Sequence, residues 1–282
     1  MLISEVIARI KAYHKGEVDG VKIDETTTRD QILYGNPNQE CCGIVTTCWA
    51  SADVIRKAQE LKANLIIVHE ALFWYRKDET AWLSESENAT FFAKKKLLDE
   101  SGIVVWRNHD YVHSGIPLNG EYVDGIFYGI AKLFGWENYR IKDERLIRIF
   151  EFPATTVSDF AQELIVKFGL NGLRIIGALE NSIKKVAITM HIIGEYDKEI
   201  LKTIAKENID AIIALEITDF TVSEYIRDSA MLGFAKTVFA VGHFNVEEPG
   251  MEYMVEYLPA ALQTNIPCTF VKSGDMYHYI NK

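Results

Sequence analysis

The sequence is short of everything that marks a secreted, membrane-embedded or nucleic-acid-binding chain. Its 4 cysteines in 282 residues, Cys41 beside Cys42 with Cys48 and Cys268 apart, make neither a disulfide framework nor a paired CxxC zinc site. They read as reduced thiols serving as small apolar side chains. No apolar run approaches the roughly 18 residues of a membrane helix. Met1 to Lys15 lacks the charged start, apolar middle and small-residue cleavage site of a signal peptide. The expectation is a cytoplasmic protein with no membrane partner. Basic residues are in deficit, 30 against 40 acidic for a formal net charge of −10, which repels nucleic-acid phosphates and anionic lipid. The longest basic run, Lys94 to Lys96, lies among Phe91, Phe92, Leu97 and Leu98 and reads as the solvated face of a helix. Gly-rich phosphate loops of the GxGxxG and GxxxxGK kinds are also missing.

What is present is an ordinary globular composition, 48% hydrophobic with 18 Gly and 6 Pro, enough for one large or two modest domains. The chain looks duplicated. GIVTTCW from Gly43, a helical stretch over Ala52 to Lys62 and NLIIVHE ending at Glu70 form one copy. VAITM from Val186, a helical stretch over Asp197 to Glu207 and DAIIALE ending at Glu216 form the other. Aligning Asn64 with Asp210 places Val54 on Ile200, Ala58 on Ile204 and Glu70 on Glu216 without a gap. Each half continues with a helix, about Glu87 to Glu100 and about Thr221 to Gly233. An apolar run follows, to His109 in one half and His243 in the other. Further helices are expected at Gly120 to Phe134 and Met251 to Thr264. The closing strands are Arg145 to Glu151 and Cys268 to Lys272. Short aliphatic strands alternating with amphipathic helices predict an α/β fold with mainly parallel, helix-covered sheets. The expected division is residues 1–140 and 141–282, with an extra helix at Val157 to Phe168, a short strand at Arg174 to Ile176, and a metal site between the two domains.

Ligand sites of open α/β sheets lie at the carboxyl ends of the strands. Here those ends carry His69 and Glu70, His109 and His113, Glu216, and His243 with Glu247. Under one shift His109 aligns with His243 and His113 with Glu247, so both halves repeat a His with His or Glu four residues on. That spacing puts both side chains on one face of a helical turn. Imidazole and carboxylate donors without nearby thiolates suit two ions of Zn, Fe, Mn, Co or Ni, with Glu70 or Glu247 as the bridge. The bland readings stand beside this. HxxxH alone is a weak signal, and Glu70 could cap the helix that follows it. His14, His191 and His278 have no partner cluster and read as surface or core. Asp110 could orient the imidazole of His109.

The segments AQELKANLIIVHEALFW, NHDYVH and GHFNVEE resemble the Nif-three-like dinuclear metal-centre proteins, some of which are called GTP cyclohydrolase type 2. The resemblance spans nearly the whole chain. It implies metal ligation by His69, Glu70, His113, His243 and Glu247, with His109 at the first position of the middle motif. Glu70 stands where the family has a second His, and His113 where it has Asp. The resemblance also implies two α/β domains and a ring-shaped homo-hexamer. Two ions 3.5 to 4 Å apart can activate water and clamp the oxygens of a displacement, which points to a metal-dependent hydrolase of cyclohydrolase or phosphoesterase type. Its substrate would be small, anionic and nucleotide-like. Glu216 or Asp110 would shuttle the proton, Arg76, Lys77 and Arg107 would be the basic contacts, and Phe73, Trp74, Tyr75 and Tyr111 would be stacking partners or packing. The alternative is a non-catalytic metal-binding assembly or regulatory protein.

Overall fold

The computed structural model describes residues 1–75, 77–144 and 146–280. The chain is α/β, as its pattern predicts, and forms two compact units: Met1–Gly129 with Glu247–Ser273, and Ile130–Val246 with Gly274–Lys282. No helix of the described residues is long and apolar enough to cross a membrane.

The first unit is built on a sheet ordered Cys268–Phe270, Ile44–Thr47, Leu65–Val68, Val104–Arg107 and Ile32–Tyr34. The first four strands run parallel, and Ile32–Tyr34 joins antiparallel. The central strands IVTT, LIIV and VVWR are buried at every residue. Their two-residue period sends Ile44, Leu65, Ile67, Val104 and Trp106 into one core and Val45, Ile66, Val68 and Val105 into another. The first core is completed by Ile3, Val6 and Ile10 of the helix Ile3–Tyr13 and by Met251, Met254 and Leu258 of the helix His243–Leu262. The second is completed by the helices Ala52–Glu60 and Ala89–Ser101. Both of these start where a side chain accepts a backbone N–H, Ser51 from Val54 and Asn88 from Phe91. Gly129 of the helix Gly125–Phe134 lies against Pro249 and Gly250. A Cβ at Gly250 would stand 2.4 Å from Ile126 Cα, so this close helix crossing depends on glycine.

The second unit carries a sheet ordered Arg174–Gly177, Thr237–Ala240, Ala211–Ala214, Ser182–Thr189, Ile147–Thr156 and Arg140–Glu144. Ser182–Thr189, Ala211–Ala214 and Thr237–Ala240 are parallel, and the flanking strands are antiparallel. Ile200 and Ile204 of the helix Asp197–Lys206 and Val222 and Ile226 of the helix Val222–Met231 fill its core.

The strands expected to close each half close the other unit instead. Ile147–Thr156 pairs with Ser182–Thr189, and Cys268–Phe270 pairs with Ile44–Thr47; Arg145, the expected first residue of the former, lies outside the described residues. A division at residue 140 therefore gives way to the grouping above. Local periodicity identifies a strand and is silent about its partner. The helix expected from Met251 begins at His243 and runs through Pro249.

His14 belongs to the core. It is 4% exposed, gives its Nδ1 proton to Ile10 O at 2.7 Å and meets Tyr257 edge-on at 6.0 Å. Burial lowers its pKa from 6.5 to about 4. The unfolded chain takes up this proton as pH falls through 6.5 while the folded chain resists until about 4. The stabilisation is thus whole above pH 6.5 and is lost across that window, by about 3 kcal/mol. Urea unfolding at stepped pH is expected to show this loss in the wild type and a flatter acid limb in His14→Gln; equal slopes would disprove the assignment.

Candidate metal centre

The strand Leu65–Val68 delivers His69 and Glu70, whose N–H groups both donate to Cys48 O, at 3.0 and 2.9 Å. The strand Val104–Arg107 delivers Asn108 and His109, and His109 opens the short helix Asp110–Ser114 with His113 in its last turn. That helix has no cap of its own in sequence. The buried carboxylate of Asp30 supplies one, accepting from the N–H of His109 at 2.8 Å, Asp110 at 2.7 Å and Tyr111 at 3.4 Å. Desolvation pushes the Asp30 carboxyl above its ordinary range against these bonds.

Each of the three imidazoles has its Nδ1 engaged by an acceptor. His69 Nδ1 meets Asn108 O at 3.2 Å, His109 Nδ1 meets Asp110 Oδ1 at 3.1 Å, and His113 Nδ1 meets Asp124 Oδ2 at 2.9 Å. These partners place the proton on Nδ1 and the lone pair on Nε2 in all three rings, the arrangement of metal-ligating histidines. The rings of His69 and His109 stack at 4.5 Å, and His113 stands edge-on to them at 5.0 and 4.9 Å. The side chain of His69 is fully buried, and its Nε2 has no hydrogen-bond partner among the described residues. Glu247 Oε2 lies 3.5 Å from it. A desolvated lone pair beside a carboxylate costs free energy unless a cation joins them, so these residues fit a divalent ion. His69, His109 and His113 bring one donor atom each within 4.8 Å of one another, and so do His69, Glu70 and Glu247. Burial, with His69 and His113 adding to it, holds the pKa of His109 well below 6.5, which keeps this ring neutral.

Arg107 sits beneath this group, 1% exposed. It donates through Nε to His69 O at 3.0 Å, through Nη1 to Asp78 Oδ2 at 3.0 Å and through Nη2 to Glu70 Oε2 at 2.9 Å. Glu70 is thereby held by one oxygen while Oε1 turns toward His109 Nε2, 3.9 Å away. Among the described residues the next helix after Glu70 is Ala81–Glu85, so Glu70 opens none, and Arg107 is a positioning residue, not the substrate contact expected of it. Arg76, another expected contact, lies outside the described residues.

The second unit holds a cluster of its own. His191 follows the strand Ser182–Thr189, Glu216 follows Ala211–Ala214, and His243 follows Thr237–Ala240 and begins the helix His243–Leu262. Glu216 takes His191 Nδ1 on Oε2 and His243 Nδ1 on Oε1, each at 2.5 Å, with the rings 5.0 Å apart. Burial works against ionisation of Glu216, but the two imidazole hydrogen bonds prevail and lower its pKa to about 2. His191, read from sequence as a residue without partners, is part of this group. Its signal was its position just past a strand end, the same cue that singled out His69. Arg29 and Asp30 had no such cue, since they precede their strand in an irregular segment.

Several other expectations meet the structure here. Asp110 does accept from His109. Lys94 is not on a solvated face: it is buried, donates to Leu72 O at 2.6 Å and lies 4.9 Å from the Trp49 ring and 5.6 Å from that of Trp74. Phe73 and Tyr111 are buried, whereas Trp74 is 43% exposed. Asp124 serves twice, with Oδ1 capping the helix Gly125–Phe134 through Ile126 N at 3.0 Å and Oδ2 on His113. Asp124→Ser keeps a capping oxygen and loses the imidazole contact. Metal titration is expected to show affinity falling about 10- to 100-fold with a melting temperature close to wild type. Unchanged affinity would remove His113 from the set.

The model of the Duf34/NIF3 (NGG1p interacting factor 3) family matches residues 7–275. No curated protein matches. Among solved structures the chain resembles protein ybgI of unknown function, at 19% identity over 98% of this chain and 99% of that one with a TM-score of 0.71. It also resembles the Bacillus cereus protein related to NIF3, at 12% identity over 99% of each chain with a TM-score of 0.70. Reduced HcgD from Methanocaldococcus jannaschii is similar at 18% identity, over 96% of this chain and 97% of that one, with a TM-score of 0.62. At these identities the likeness is one of fold. With the family model spanning nearly the whole chain, this protein belongs to the Duf34/NIF3 family.

Proposed function

We propose that this protein is a hydrolase using two divalent ions on a small anionic, nucleotide-like substrate. One ion takes its ligands from His69, Glu70, His109, His113 and Glu247, the other from His191 and His243, whose rings Glu216 orients. The observation that carries the reading is the common orientation of three imidazoles, with Nδ1 tied and Nε2 offered, around the buried Nε2 of His69. A donor set of imidazole nitrogen and carboxylate oxygen suits Zn, Fe, Mn, Co or Ni. Cys48 does not alter it: burial, reinforced by Glu247 and Glu70, raises its pKa well above 9.0 and keeps the thiol protonated. Bound ions of this kind supply Lewis acidity and lower the pKa of a water toward neutrality.

The side chains grade from closed to open. His69 and Glu247 are 0% and 4% exposed, Glu70 16% and His113 23%. One side of the set is therefore sealed and the other meets solvent. This favours catalysis over the alternative of a non-catalytic assembly or regulatory protein, whose metal would be enclosed by protein ligands. Neither carboxylate first considered as a proton shuttle suits that task. Desolvation opposes ionisation of Asp110, yet its bonds from His109 and the Arg29 backbone hold its pKa far below the usual range, and Glu216 is held near 2. Both are weak bases, better suited to orienting imidazoles. The proposal extends to a homo-hexamer; Met231, Leu232 and Phe234, exposed by 70%, 72% and 68%, offer apolar surface for contact between copies.

Elemental mass spectrometry on untagged protein is expected to find about two ions per chain, with depletion in His69→Ala and Glu247→Ala at nearly unchanged far-UV circular dichroism. Full metal content in both variants would refute the ligand set. Metal-loaded protein that leaves a panel of nucleotides and phosphoesters intact would favour the non-catalytic alternative.

A further inference from the structure

We infer that Arg29 is the anion-recognising residue of the first unit's metal centre, and that the group it takes is a phosphate. The inference rests on the metal reading of His109 given above. Arg29 lies beside that residue with its guanidinium divided between two tasks. Nε and Nη2 donate to Asp110 Oδ1 at 3.0 and 2.9 Å, and the Arg29 backbone N–H donates to Asp110 Oδ2 at 2.9 Å. Nη1 lies 3.1 Å from His109 Nε2.

The second contact is where the chemistry turns. His109 gives its Nδ1 proton to Asp110, so Nε2 carries the ring's one lone pair, and Arg29 donates into it. A metal ion and an N–H cannot share that lone pair. Metal binding at His109 Nε2 therefore frees the Nη1 donor, while Asp110 keeps its hold on the rest of the guanidinium. The outcome is a fixed cation with an unspent N–H fork next to a divalent ion. Two neighbouring positive centres are brought to rest by an oxyanion whose oxygens reach both, and the planar guanidinium matches phosphate geometry.

Accessibility agrees with this role. The side chain of Arg29 is 49% exposed, against 1% for Arg107, which is committed to Glu70 and Asp78. In a chain of net charge −10, an anionic substrate needs such a local cation, and the carboxylates of Glu70 and Glu247 otherwise repel it.

The test is isothermal titration of inorganic phosphate into the metal-loaded full chain, with metal content measured on the same samples. Wild type is expected to bind phosphate, Arg29→Met to bind it at least tenfold more weakly, and Arg29→Lys to fall between, since an ammonium keeps the charge and loses the fork. Metal affinity in Arg29→Met is expected to equal or exceed that of wild type, because the competing N–H is gone. Phosphate affinity unchanged in Arg29→Met, or lost only together with the metal, would overturn the inference while leaving the metal centre standing. A wild-type chain that takes up no metal would instead overturn the metal reading beneath it.

Discussion

The first unit's site depends on the hydrogen bond that each imidazole makes through Nδ1. An untied histidine samples two tautomers and several ring orientations, and the cost of ordering it would fall on metal binding. Here Asn108 O, Asp110 and Asp124 meet that cost during folding. The acceptors themselves are held in turn. Asp110 is gripped by Arg29, Asp124 caps a helix, and Asn108 follows a fully buried strand. A single layer of backbone and carboxylate contacts thus converts sheet packing into the aim of three nitrogen atoms.

Asp30 shows how far this dependence reaches. Its carboxylate replaces the missing cap of a five-residue helix, and a helix that short has little intrinsic stability in water. Without an acceptor for the N–H groups of His109 and Asp110, the bond from His113 N–H to His109 O, at 3.2 Å, would be the helix's own weak tie between the two histidines. The carboxylate is desolvated to perform this task, which raises its pKa. Its three bonds from N–H groups and that from Thr28 Oγ1 at 2.9 Å offset part of the penalty.

Much of this was legible in sequence, and the part that was not has a physical reason. The repeat marked strands at Ile44, Leu65, Val104, Ala211 and Thr237 because buried parallel strands are short aliphatic runs with helices between them. Strand partners were illegible, since pairing joins residues far apart, and so Cys268–Phe270 and Ile147–Thr156 were assigned to the wrong sheets. The histidines at strand ends stood out as residue types that packing does not need. Spacing grouped His243 with Glu247, and it gave no sign of the contacts that His243 makes with Glu216 and His191. Arg29 and Asp30 act through the folded chain some eighty residues away from His109 and Asp110, and no local pattern announces that.

The two departures from the family's ligand pattern also become intelligible. Glu70 in place of a second His is coupled to Arg107, whose buried guanidinium needs anionic partners and finds them in Glu70 and Asp78. A neutral imidazole at position 70 would take a carboxylate away from that charge, at a cost in a desolvated setting. His113 in place of Asp is coupled to Asp124, which supplies the acceptor an imidazole needs and which a carboxylate at 113 would repel. Each exchange is therefore supported by a neighbour suited to the residue now present. The number of nitrogen and oxygen donors is conserved, while the negative charge moves from the helix Asp110–Ser114 to the end of the strand Leu65–Val68. The charge stays close to His109, since Glu70 Oε1 lies 3.9 Å from its Nε2, but there it is balanced by the guanidinium of Arg107, 2.9 Å from Glu70 Oε2.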